Sequence, residues 1–334
     1  MGSARRAESE GARITRQAVV ERLTFFQKLA LTTTGVTYFL IFVGGLVRVS
    51  GAGLGCPDWP RCFGSWIPPA SADQLPAGFD LSQFNPTLMW TEYLNRLLGV
   101  IVGLLILATL VSAWRHHRHT PRILWPTLTA FLLVGFQGWL GGVVVEHELA
   151  PWIVTTHLVV ALIIVSLLLY ATVYAFFEKS PPRPSDARRP LAWSTLGLMA
   201  LTLGQVMLGA QVRGGIDEAL TSGTPRSEAL ATVGAYDFWH RDVAIVVLGL
   251  TLVVTVTVLT RYGHEGALVR TAIVTSALVI LQVVSGLSMA YWSLTPTAQV
   301  AHLTAASLML GAETLLFLQA RWLPASGRLL ATGH

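Results

Sequence analysis

Long apolar stretches alternate with short polar ones along the whole chain. Eight apolar runs cover residues 28–47, 93–113, 123–144, 153–176, 192–212, 241–260, 269–291 and 299–320. A helix needs about 20 mainly apolar residues to cross the hydrocarbon core, and each run meets that length. The runs are continuous rather than alternating, which argues against strands. The pattern predicts an all-α integral membrane protein with eight transmembrane helices. A polar stretch precedes the first run and no Ala-x-Ala site follows it, so it reads as a span and not a cleavable signal peptide.

Composition sharpens this. Of 334 residues, 53% are hydrophobic and 12% charged, with a mean hydropathy of +0.58. Soluble domains carry about a quarter charged residues, so a disordered chain and a water-soluble core are both excluded. A net charge of +5 would suit a nucleic-acid partner, but the basic residues sit in short loops between apolar runs. The partner they imply is membrane lipid. Arg5, Arg6, Arg13, Arg16 and Arg22, then Arg115, Arg118 and Arg122, Lys179, Arg183, Arg188 and Arg189, Arg261 and Arg270, and finally Arg321 and Arg328 all fall on one side of eight spans. Positive loops stay inside. Both termini are therefore expected in the cytoplasm, in a multi-pass protein of the inner (cytoplasmic) membrane. Loops 48–92 and 213–240 then face outside, and Cys56 and Cys62 lie on the oxidising side.

The chain also repeats itself. Asn95 to Gln137 is 42 residues and Gln137 to His157 is 20; His240 to Gln282 is 42 and Gln282 to His302 is 20. A constant offset of 145 maps Glu92 onto Asp237, Asn95 onto His240, Arg96 onto Arg241, Gln137 onto Gln282 and His157 onto His302. Upstream, Arg48 matches Arg213 at an offset of 165. Each half holds an even number of spans, so the halves share one orientation, unlike inverted repeats. The expected organisation is an arm at 1–27, a four-helix half at 28–177, a linker at 178–191, a second four-helix half at 192–321 and a tail at 322–334. The halves are expected as tandem bundles related by a pseudo-two-fold along the membrane normal.

Ionisable groups inside spans are costly and usually functional. His116, His117 and His119 lie in a basic inner loop and read as solvated. His157, His240 and His302 each open a span at its outer end. Two imidazoles at one depth on different helices, His240 and His302, suit bis-His ligation of haem iron. The bland alternative is interhelical hydrogen bonding; matched depth and repeat counterparts favour the haem. Zinc fits less well, because no further ligand set completes four. Arg48, Arg96, Arg213 and Arg241 share the outer boundary, where they would meet haem propionates or lipid phosphates.

The first half breaks the pattern. Asn95 replaces a histidine, so a haem there keeps at most His157 as a strong axial ligand. An open axial site permits oxygen chemistry, whereas a closed one suits electron transfer. Glu92 lies on the helical face of Asn95, either to move protons and stabilise charge or as a rim carboxylate paired with Arg96 or Arg48. Cys56 and Cys62 suit a small loop disulfide, structural or redox-active. Trp59 and Trp66 are expected in the interfacial aromatic belt.

Gly44-Gly-Leu-Val-Arg-Val-Ser-Gly-Ala-Gly-Leu-Gly-Cys-Pro-Asp-Trp-Pro-Arg-Cys62 resembles the first-loop signature of the haem A synthase family. So do Glu92-Tyr-Leu-Asn-Arg-Leu-Leu-Gly99, Thr156-His-Leu158, Trp239-His-Arg241 and Ala301-His-Leu303. The resemblance runs from about 28 to 321. It implies eight spans in two halves and oxidation of the C8 methyl of haem O to the formyl of haem A, for haem-copper oxidases. It implies a haem b between residues matching His240 and His302, and a substrate site with residues matching Glu92 and His157. The family's outer cysteine pair matches Cys56 and Cys62. Haem O, haem A, a haem O synthase and an electron carrier are the implied partners. Many members carry His where this chain has Asn95, which favours a five-coordinate substrate haem. Two rival readings share the ligands: a di-haem b-type membrane cytochrome in electron transfer, and a haem-binding assembly protein without catalysis.

Overall fold

The computed structural model describes residues 23–177 and 186–322. The basic N-terminal arm through Arg22, Lys179 and Arg183 of the linker, and Arg328 of the tail lie outside the described residues. Eight helices follow one another, each long and apolar enough to cross a membrane. They are α1 (Phe25–Val49), α2 (Pro86–His117), α3 (Pro121–Glu146), α4 (Pro151–Ala175), α5 (Arg189–Thr221), α6 (Ala235–Arg261), α7 (Gly266–Tyr291) and α8 (Pro296–Trp322). No strand occurs among the described residues.

Local chemistry starts these helices. Thr24 accepts from the Gln27 amide while the Gln27 side chain accepts from the Thr24 amide, a reciprocal cap on α1. Pro86, Pro121 and Pro151 open α2, α3 and α4, where a missing N–H costs nothing. Asn85 caps α2 by accepting from Thr87 at 3.1 Å and Leu88 at 3.2 Å.

Helix contacts close two rings. α1–α2–α3–α4 returns to α1, and α5–α6–α7–α8 returns to α5. The rings meet along a seam where α8 packs on α1 and α4, and α5 on α4. With lipid outside, small residues and hydroxyls drive such packing. A Cβ on Gly214 would fall 2.5 Å from the Pro151 ring, and one on Gly45 would fall 3.0 Å from Leu303. Within the rings, Thr33 and Thr109 share a hydrogen bond of 2.8 Å, and Thr255 and Ser276 one of 2.7 Å.

All eight expected spans are present, but most helices outrun them. α2 begins seven residues before position 93, and α5 continues nine past position 212. Hydropathy ends at the membrane interface, whereas backbone hydrogen bonding continues into water until a cap stops it. The loop expected at 213–240 is therefore partly helix, with a further 3-10 turn at Ala229–Thr232. The three histidines consequently sit one to two turns inside α4, α6 and α8 rather than at their first residues. One inner-loop histidine differs from its solvated reading, and one inner-side arginine is buried. The His117 ring packs on Phe26 at 4.5 Å. Arg188 is buried and pairs with buried Glu265 at 2.5 Å, joining the start of α5 to the α6–α7 turn.

Candidate functional site

Cys56 and Cys62 form a disulfide. Both are fully buried, under Phe63, Met89, Leu75, Phe79, Phe84 and Tyr93. The loop between them is clamped to α2. Glu92, itself buried, accepts from the Cys56 amide at 2.8 Å and pairs with Arg96 one turn on. Arg96 spends all five N–H donors here: on Glu92, on the carbonyls of Asp58 at 2.8 Å and Arg61 at 2.9 Å, and on the Cys56 carbonyl at 3.4 Å. Asp58 turns the loop by accepting from the Phe63 and Gly64 amides at 2.6 and 2.9 Å. Gly55 crosses α2 so closely that a Cβ would lie 2.4 Å from the Leu88 carbonyl oxygen. Trp59 packs against Gly142 of α3, where a Cβ would meet its ring at 2.9 Å. Further out, Asp80 caps a short turn at Leu81–Gln83, and the Ser82 hydroxyl and amide hold its carboxyl below the usual range. The pairing of Glu92 with Arg96 is the architectural option left open by the sequence. Arg96 accordingly has no donor left for a propionate.

In the second half, His240 on α6 and His302 on α8 face each other, with ring centres 6.4 Å apart and planes at 63°. A metal between two imidazoles, bonded at about 2 Å to each nitrogen, puts the ring centres about 6.3 Å apart. The separation therefore fits one shared iron. Among the described residues no cluster of three or more His, Cys, Asp or Glu forms a metal site. A metal on two histidines needs its remaining ligands from a bound group, as a porphyrin supplies. Glycines on the neighbouring helices make room for the two rings. Gly209 of α5 faces His240, where a Cβ would come within 2.9 Å of Cε1, and Gly286 of α7 faces His302 at 3.6 Å.

Polar partners tether both helices at these histidines. Gln205 Nε2 donates to the His240 carbonyl at 2.7 Å, and Gln282 Nε2 to the His302 carbonyl at 2.8 Å. Ser285 Oγ lies 2.8 Å from His302 Nδ1 and donates to the Gln282 carbonyl at 3.1 Å. His240 Nδ1 is buried without a partner.

The first half repeats part of this. Gln137 Nε2 donates to the His157 carbonyl at 3.0 Å, and Gly141 faces the His157 ring as Gly286 faces His302, at 3.8 Å. Leu140 stands in place of Ser285, Leu40 in place of Gln205 and Asn95 in place of His240. His157 Nδ1 and Asn95 Oδ1 are both buried and unpartnered.

Arg48, Arg96, Arg213 and Arg241 each meet a carboxylate. Arg241 pairs with Asp237 at 2.6 Å, repeating Arg96 with Glu92. Arg48 and Arg213 share Asp217, at 2.9 and 2.6 Å, across the seam between the rings. Arg213 also donates to Gln299. Arg48 Nη1 and Arg213 Nε remain buried without acceptors, so both keep a donor for an anionic group.

Sequence reasoning passed over four residues here or nearby. Gln205 and Ser285 have no polar repeat counterpart, so the offset could not flag them. Gly209 matters only through its distance to His240. Glu313 lies fully buried deep in α8, accepting from Thr202 of α5 at 2.8 Å with Oε2 unpartnered; a lone acid is diluted in the hydropathy of its span.

Known proteins are similar to this chain in sequence. The heme A synthase of Alkalihalophilus pseudofirmus is 25% identical over 78% of this chain and 85% of its own length. That of Allorhizobium ampelinum is 28% identical over 82% of this chain and 84% of its own, and that of Halalkalibacterium halodurans 27% over 77% and 84%. The family model described as cytochrome oxidase assembly protein matches residues 27–314, which takes in α2 to α7 whole, most of α1 and α8, the disulfide loop and every histidine discussed above. This chain belongs to the cytochrome oxidase assembly protein family.

Proposed function

We propose that this protein is a haem A synthase: an oxidoreductase that converts the C8 methyl of haem O to a formyl group, giving haem A for haem-copper terminal oxidases. The observation that carries the reading is the contrast between the halves. One has two histidines at an iron-spanning distance. The other keeps one histidine and sets an asparagine opposite in the repeat. A closed axial pair suits electron transfer, and an open position suits oxidation.

His240 and His302 would hold a resident haem b, which when bound supplies one-electron redox chemistry. Arg213 and Arg241 lie near enough in sequence and helix position to serve its propionates, Arg213 through its spare Nε–H. The substrate, haem O, would lie in residues 28–177. There His157 would ligate its iron or orient its ring, Arg48 Nη1 would meet a propionate, and Asn95 would line the open face without closing it. Two successive two-electron oxidations of the methyl carbon by an external oxidant, each adding one hydroxyl group, would give a geminal diol, and loss of water would give the aldehyde. Glu92 acts in this scheme mainly by position. It ties the disulfide loop onto α2, where the loop would roof the site and limit water.

The same reading supports the domain division at residues 178–191, the pseudo-two-fold relation of the halves, and an inner-membrane location with both termini cytoplasmic and the disulfide loop outside. A haem O synthase as supplier and an electron carrier as partner follow from the chemistry. Haems extracted from cells that make haem O, with and without this protein, test the proposal by mass spectrometry. A formyl product that depends on the protein is expected. Two low-spin b haems with no conversion would identify a di-haem electron carrier instead.

A further inference from the structure

Ser285 Oγ lies between the Gln282 carbonyl at 3.1 Å and His302 Nδ1 at 2.8 Å. A histidine that holds a metal through Nε2 carries its ring proton on Nδ1. In that state Oγ accepts from Nδ1–H and gives its own proton to the carbonyl. The Gln282 amide closes a small circuit by donating to the His302 carbonyl at 2.8 Å. With the proton held on Nδ1, the His302 lone pair is on Nε2. A ligand histidine whose other nitrogen donates a hydrogen bond is fixed in tautomer and ring angle and is a more basic ligand.

The first half retains the Gln137 tether at 3.0 Å and the facing glycine, but not the hydroxyl. Leu140 occupies the corresponding place and is itself buried, so His157 Nδ1 has nothing to donate to. The two histidines are thus anchored alike through their carbonyls and differently through their rings.

Resting on the haem sites proposed above, we propose that Ser285 is a positioning residue that makes the His302 site a permanent one, and that Leu140 leaves the His157 site exchangeable. A resident cofactor must stay through many turnovers, whereas a substrate must leave as product. The hydroxyl adds to the contrast between Asn95 and His240 in separating these two demands.

The test uses the full-length protein purified with haem. The variants are S285A, S285T, L140S and, as a size control, L140A. In S285A the low-spin haem is expected to be lost to a haem-scavenging apoprotein about tenfold faster, the low end of outer-shell effects on metal affinity. Its midpoint potential should move to a higher value, because a less basic ligand stabilises the oxidised iron less. S285T keeps a hydroxyl and should restore both. L140S should retain first-half haem longer than L140A does. A wild-type potential and a loss rate within about twofold of wild type in S285A would overturn the role of Ser285, given that outer-shell changes act at tenfold or more. Equal retention in L140S and L140A would overturn the role of Leu140. A wild-type protein with no low-spin haem would instead refute the haem-site reading itself.

Discussion

Gly209→Ala places one methyl group against the His240 ring, and the structure fixes how badly it fits. The new Cβ would stand 2.9 Å from Cε1, 3.4 Å from Nδ1 and 3.6 Å from Nε2. Carbon atoms pack best at about 3.5–4.0 Å, so the ring must retreat by at least about half an ångström. That displacement is large beside a metal–nitrogen bond of about 2 Å. Overpacking of this kind costs about 1–3 kcal/mol, and at about 1.4 kcal/mol per decade haem affinity should fall by about 5- to 150-fold. Two control substitutions scale the effect. Gly286→Ala and Gly141→Ala would bring a Cβ to 3.6 and 3.8 Å of His302 and His157, ordinary contact distances, and should leave haem content near wild type. Haem per polypeptide, measured as the pyridine complex after detergent washing, reads all three. A G209A protein that keeps wild-type low-spin haem would refute the placement of the cofactor against His240.

Arg96→Met removes five hydrogen bonds and leaves buried Glu92 without its counter-ion; breaking a buried pair in this way costs about 3–5 kcal/mol. Thermal unfolding in detergent should fall steeply, and the disulfide should become reducible in the folded protein. Glu92→Gln keeps an acceptor for the Cys56 amide and should cost less than Arg96→Met; the reverse order would mean that Glu92 does more than hold the loop. Replacing both Cys56 and Cys62 by serine opens a short covalent loop, worth about 2 kcal/mol by chain entropy. Haem content in the second half should survive that change, and its loss would tie the loop to the distant site. Glu313→Gln preserves the Thr202 bond and should leave the melting temperature unchanged, while Glu313→Lys should abolish stable accumulation in membranes.

The sequence carried the spans, because a bilayer demands continuous apolar length. It carried the histidine and arginine positions, because duplication kept polar residues in register. Gln137 and Gln282 stood out through that register, yet their role as tethers to the histidine carbonyls required the fold. What set the halves apart was harder to read. Ser285 against Leu140 and Gln205 against Leu40 are mismatches, and an argument built on matches passes over them. The two options for Glu92 differ only in the fold, where the approach of the Cys56 amide and Arg96 turns the carboxylate toward the loop. Helix ends were misjudged for a related reason: hydropathy reports where lipid stops, not where a helix does.

Asp217 has a consequence for how the molecule can be divided. It neutralises the arginine of its own half and, across the seam, the corresponding arginine of the other. The first half has Ala52 at the matching place. Expressed as separate fragments, the later half would carry its own acid, while the earlier would insert with an orphan cation and depend on its sibling for quality-control survival. The dependence runs one way: in split-gene expression the later fragment should accumulate alone, and the earlier one only when both are made together.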